Sequence, residues 1–257
     1  MPAHDLALLT DAALAAGKIA LRYWNNAPTV WDKADASPVT EADLAVNDML
    51  MARLRGARPG YGWLSEETPD DAARLGCEHV FIIDPIDGTR AFIAGEKHFA
   101  HSLAVARHGV VTAAVVYLPA LDRLYTASKD GPALVDGQSM QASVKSLADG
   151  PNILTTKANL LPDHWQSDPP VFQRSFRASL AYRLALVGEG AFDGMLAFRD
   201  AWEWDIAAGS LIATRAGAAV SDCRGATLRF NSVRAQSSGI VAAAPALHTD
   251  LLAQFKL

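Results

Sequence analysis

The stretch His79-Val80-Phe81-Ile82-Ile83-Asp84-Pro85-Ile86-Asp87-Gly88-Thr89 constrains this chain more than any other. Val80 to Ile83 are consecutive apolar residues and read as a buried strand. The strand runs into two carboxylates around a proline and then breaks at Gly-Thr. Asp, Pro and Gly are ordinary turn formers, so each of these residues alone reads as part of a solvated turn. Pro85, however, fixes one backbone angle between the aspartates, which lets Asp84, the Ile86 carbonyl and Asp87 face one locus instead of alternating across a sheet. Gly88 and Thr89 then open a helical turn whose free N–H groups face an anion.

The 257 residues are 50% hydrophobic, enough for a substantial core in one large domain or two packed halves. A net charge of -5 argues against a broad nucleic-acid or acidic-membrane footprint. The first 24 residues lack the basic start and unbroken apolar run of a secretory signal, and no later run reaches membrane-spanning length. The expectations are therefore a cytoplasmic location, no nucleic acid and no membrane partner. Cys77 and Cys223 stand far apart, with no Cys-x-x-Cys or Cys/His cluster, and read as small apolar filler.

Residues 5–24 carry Leu8, Ala12, Ala15, Ile19 and Tyr23 at helical spacing, and the polar loop WDKADASP ends that helix. A second helix is expected from Thr40, its cap, to about Arg55. From His79 the runs HVFIID, HSLAVARHG, VVTAAVVYL and DRLYTASK predict an antiparallel sheet. KSLADGP, near 145–151, marks a boundary, placing an α+β half at 1–148 and an α/β half at 149–257. In the second half NILTT, AFDGMLAF, GAAVSD and GIVAAA read as strands. LPDHWQ, LAYRLALVGEG, Trp204–Gly217 and LHTDLLAQF read as helices.

Four acidic positions sit at edges of apolar elements: Glu66 in WLSEET, Asp84 and Asp87 in DPIDGT, and Asp205 in WEWDIAAGS. Any one alone reads as a cap or a turn residue. Together they offer the oxygen ligands that hard cations such as Mg²⁺ require, with waters and phosphate completing the coordination. Phosphoryl transfer suits such a site, because it needs positioning and charge stabilisation more than covalent help.

The motifs SPVTEAD, LSEET, DPIDGT followed by RAF, and WEWDIAAGSLIATRAGA occur in this order across nearly the whole chain. With them the chain resembles the inositol monophosphatase family of Mg²⁺-dependent, lithium-sensitive phosphomonoesterases. The resemblance implies a layered αβαβα sandwich in the α/β class. It implies one metal on Glu66, Asp84 and the Ile86 carbonyl, a second on Asp84, Asp87 and Asp205, and a third, weaker site near Glu66. Gly88 and Thr89 would bind phosphate, while Asp43, Thr89 and Glu66 would serve the attacking, metal-activated water. Li⁺ would inhibit, and homodimerisation is usual in the family. Thr40-x-x-Asp43 is also a helix-capping pattern, so Asp43 carries a structural reading beside the catalytic one. Glu67 is expected to touch metal-bound water or the surround of the ligands, because neighbouring carboxylates on an extended segment point to opposite sides.

IDGT is similar to the Asp-x-Asp-Gly-Thr motif of haloacid dehalogenase-like phosphatases, but two residues separate the aspartates here. A covalent aspartyl-phosphate is therefore not expected. His98, His101 and His108 form no zinc pattern and read as ordinary sheet or loop residues. Of Trp202 and Trp204, one is expected in the core.

Within the family the alcohol is open between inositol monophosphate, 3'-phosphoadenosine 5'-phosphate and histidinol phosphate. The region LAFRDAW puts Ala197 or Phe198 where inositol phosphatases carry an acidic residue, and Arg90 after DPIDGT points toward the nucleotidases. Candidate substrate contacts are Asp87, Ser179, Arg183, Phe198 and Arg199. Either arginine alone reads as a solvated or ion-paired surface residue. The alternative of another class is a non-catalytic regulator on a phosphatase fold.

Overall fold

The computed structural model describes residues 2–34 and 36–256. Its helices are α1 (Pro2–Tyr23), α2 (Glu41–Ala57), α3 (Thr89–Ile93), α4 (Leu180–Gly188), α5 (Glu203–Arg215) and α6 (Pro245–Leu252). Seven strands of the first half form one sheet, in the order 62–65, 79–87, 100–107, 110–118, 123–128, 133–135 and 138–139. The first pair is parallel and the rest are antiparallel. Strands 173–175, 152–154, 194–197, 240–243 and 219–221 form a second, mixed sheet in that order.

Consecutive apolar residues in the strand His79–Asp87 are explained by cover on both faces. Phe81 and Ile83 pack with Leu9, Ala13 and Ala16 of α1 and Val46 and Leu50 of α2. Val80 and Ile82 point the other way, into a core built with Leu184 of α4 and Ile206 and Ile212 of α5. That core reaches the second sheet through Met195, Ile240 and Ala242. The outer face of the second sheet, with Ile153, Leu196 and Val241, is closed by Leu247 and Leu251 of α6 together with Trp165 and Phe255. The result is the five-layer αβαβα order. Gly209 sets the spacing in the central helix layer, since a Cβ there would lie 2.5 Å from Leu184 Cβ. Among the described residues no helix is long and apolar enough to cross a membrane.

Local expectations fail where tertiary pairing overrides composition. WDKADASP lies in a hairpin, Val30–Asp32 against Pro38–Thr40, because its flanks pair with each other. Gly62–Ser65, not read as a strand, is drawn in beside His79–Asp87. LPDHWQ holds only one 3₁₀ turn, Pro162–His164, after which Trp165 bridges to Phe255.

Candidate active site

The bend at DPIDGT is a β-bulge. Asp84 pairs with Ser102, but the next pair is Asp87 with Ala100, so three steps on one strand face two on the other. Pro85 tolerates that place because it has no N–H to donate to the ladder. His101, directly across, bonds through Nδ1 to the Pro85 carbonyl. Its ring is fully buried and kept neutral, with burial pushing its pKa down to about 4. The sequence reading treated His101 as an ordinary sheet residue. Its partner lies 16 residues away, and no local pattern announces it.

Each acidic residue is delivered by a different element. Glu66 follows the strand 62–65, anchored by its N–H on the Ile83 carbonyl at 3.2 Å. Asp205 sits in the first turn of α5, where the helix N-terminus favours negative charge. With Asp84 they converge, one oxygen of each lying within 4.8 Å of the others. Asp84 is 1% exposed, and its Oδ1 has no hydrogen-bond partner among the described residues. Burial first, and then the neighbouring negative charges, hold Asp84 and Asp205 well above the usual carboxylate range. An all-oxygen, negatively charged cluster with a bare buried carboxylate oxygen fits a hard divalent cation.

Asp87 lies beside this triad with one of its two oxygens engaged. Its Oδ2 accepts from Ser179 Oγ and from the Ala181 N–H, both at 2.6 Å, at the start of α4. Burial raises it to about 6 against those two bonds. Ser179, a candidate substrate contact, is fully buried and caps α4, so it serves Asp87 and not the cavity.

Asp43 satisfies both of its readings, one oxygen for each. Oδ2 accepts from Thr40 N (2.8 Å) and Thr40 Oγ1 (2.5 Å), completing a capping box on α2. Oδ1 lies 3.3 Å from Thr89 Oγ1, which is also 3.2 Å from the Ile86 carbonyl. Burial pushes the Asp43 carboxyl up to about 6. Gly88 adopts φ 97, and a Cβ there would meet the His98 carbonyl at 3.2 Å, so the entry to α3 favours glycine.

Glu66 and Glu67 do not diverge. They form a turn after the strand, and Lys33 Nζ reaches both, at 2.8 and 2.7 Å. Burial raises Glu67 to about 7, against the pull of Lys33. Sequence reasoning missed Lys33, because a lone lysine in a polar loop is the pattern of any solvated charge.

Glu66, Asp84, Asp87, Gly88, Thr89 and Asp205 line a cavity of about 640 Å³ that extends past them to Arg183, Arg199, Trp202 and Trp204. Arg183 is 6% exposed, bonds the Arg177 and Ala178 carbonyls, and lies over the Phe176 ring, so it is neither solvated nor ion-paired. Arg199 is exposed and has no hydrogen bond or ion pair among the described residues. Phe198 turns away from the cavity and stacks on His164 and packs against Phe255, leaving Ala197 at the wall. Neither Trp202 nor Trp204 is fully in the core, and both line the cavity.

The model of the inositol monophosphatase family matches residues 2–256. An inositol-1-monophosphatase of Rhizobium meliloti is 34% identical over 232 residues, 86% of each chain. The 3'(2'),5'-bisphosphate nucleotidase CysQ of Escherichia coli K12 is 33% identical over 207 residues, 78% of this chain and 82% of that one. Among solved structures, the extragenic suppressor protein suhB of Bartonella henselae superposes with a TM-score of 0.83 at 26% identity, covering 97% of both chains.

Proposed function

The chain belongs to the inositol monophosphatase family and is a phosphoric monoester hydrolase, and from that premise we propose that it cleaves a small phosphate ester by direct attack of water. In this reading Glu66, Asp84, the Ile86 carbonyl, Asp87 and Asp205 hold two or three Mg²⁺ ions. The observation that carries it is the convergence of Glu66, Asp84 and Asp205 within 4.8 Å, together with the buried Asp84 Oδ1 that no donor among the described residues satisfies. Bound there, a divalent ion supplies Lewis acidity toward water and the phosphoryl oxygens.

The N–H groups of Gly88 and Thr89, at the opening of α3, hold the phosphate. Thr89 has one hydroxyl proton and two acceptors in reach. Donating it to Asp43 leaves the Thr89 oxygen free to accept from water, so a proton passes from water through Thr89 to Asp43 Oδ1. A carboxyl with a pKa near 6 is suited to receive that proton at neutral pH. Glu66 orients the same water from the other side. Asp87 keeps Oδ2 on Ser179 and Ala181 and has Oδ1 left for a metal. Inhibition by Li⁺ and a homodimer, both implied by the family resemblance, and a cytoplasmic location complete the proposal.

Phosphate release from inositol 1-phosphate, 3'-phosphoadenosine 5'-phosphate and histidinol phosphate, with and without Mg²⁺ and Li⁺, tests the reading. Mg²⁺-dependent release, lost in Asp84→Asn and Asp205→Asn, is expected. Unchanged activity in both variants refutes the site.

A further inference from the structure

Away from the acidic cluster the cavity changes character. Trp202 ends the short strand Ala201–Trp202 and Trp204 lies in the first turn of α5, so the corner between them turns two alternate residues to one side. Their rings stack at 4.6 Å and 9°. Trp202 stays 38% exposed and Phe176 48% exposed, and both line the cavity. Exposed aromatic surface inside a cleft gains by being covered, and a flat ring covers an indole best.

Part of the polar wall here is already engaged. Asn159 is spent on Thr155 Oγ1, the Leu196 carbonyl and the Phe198 N–H. Arg183 gives its Nε and one Nη2 donor to carbonyls, and Ala197 adds an apolar stretch of wall. Ring hydroxyls each need a partner, and Asn159 has no donor left for one. Arg199 lines the cavity with no ion pair among the described residues, and its guanidinium attracts an anion and repels a cationic alcohol.

Building on the proposed phosphatase activity, we infer that Trp202, stacked on Trp204, and Arg199 determine specificity for an alcohol made of a planar aromatic base with a second anionic group, the chemistry of a nucleoside bisphosphate. A base stacked on an aromatic side chain contributes enough that its loss reads as about tenfold or more in affinity.

The kinetic test compares kcat/KM for 3'-phosphoadenosine 5'-phosphate with that for glycerol 2-phosphate. The ratio falls about tenfold or more in Trp202→Ala, through the KM of the nucleotide, and recovers most of its value in Trp202→Phe. In Arg199→Ala the ratio of the bisphosphate to adenosine 3'-monophosphate falls by a similar factor. Calorimetric titration with adenosine 5'-monophosphate needs no turnover: wild-type protein binds it about tenfold or more tighter than Trp202→Ala, and myo-inositol more weakly than either. Ester hydrolysis with both ratios unchanged overturns the inference and leaves the phosphatase reading standing. Stacking-dependent binding of the monophosphate without hydrolysis of any ester does the reverse.

Discussion

Removing one charge from the acidic cluster stabilises the metal-free protein while abolishing its activity. Glu66, Asp84 and Asp205 offer oxygens within 4.8 Å of one another. Two unit charges at that distance repel by about 3.5 kcal/mol at an effective dielectric constant near 20. Asp84→Asn deletes two such pairs, about 7 kcal/mol if all three groups were ionised. Part of this is already relieved in wild type, because Asp84 and Asp205 resist ionisation and Glu66 pairs with Lys33. The net gain is therefore about 2–4 kcal/mol, helped by the new amide, which donates to a neighbouring carboxylate. For a chain of this length, that raises the thermal midpoint by roughly 5–10 °C. Scanning calorimetry at pH 7.5 in chelator should show the variant melting above wild type, and saturating Mg²⁺ should raise wild type but barely move the variant. A variant no more stable than wild type in chelator would sink the claim that the cluster is an electrostatic strain waiting for a cation.

Two further outcomes follow from the groups that brace the site. His101 titrates near pH 4 in the folded protein against an ordinary 6.5, so below pH 6.5 the unfolded chain gains a proton that the folded one refuses. Its contribution is complete above pH 6.5 and is lost as pH falls toward 4, a span of about 3 kcal/mol. Asp43 and Asp87 act in the opposite sense over that window, so the measurement is the difference in urea stability between wild type and His101→Phe from pH 7 to 4.5; a pH-independent difference refutes the assignment. Ser179→Ala removes the cap of α4 and one of the two bonds fixing Asp87, and costs about 1–3 kcal/mol in urea unfolding. An unchanged midpoint would show that the Ala181 N–H alone suffices.

The metal-ligand candidates are legible in the sequence only as a set: each alone reads as a cap or a turn residue, and together they offer the oxygens a hard cation needs. The apolar run ahead of Asp84 likewise demanded cover on two faces, which α1 and α2 supply on one side and α4 and α5 on the other. Sidedness was not legible. Ala197 and Phe198 are both apolar neighbours, and only the register of strand 194–197 decides that Ala197 meets the cavity while Phe198 packs on Phe255.

Long-range partnership was equally hidden. His101 meets Pro85 through antiparallel pairing around a bulge, and Lys33 reaches Glu66 and Glu67 through a hairpin whose local composition resembles a loop. Trp202 and Trp204 stack because a strand turns into a helix between them. Local spacing and residue type thus determined what chemistry this chain can perform, because backbone geometry ties nearby residues to known directions. Which groups brace that chemistry, and which side chains face the cavity, was decided only by tertiary structure, because those contacts join residues whose separation in sequence carries no information about their distance in space.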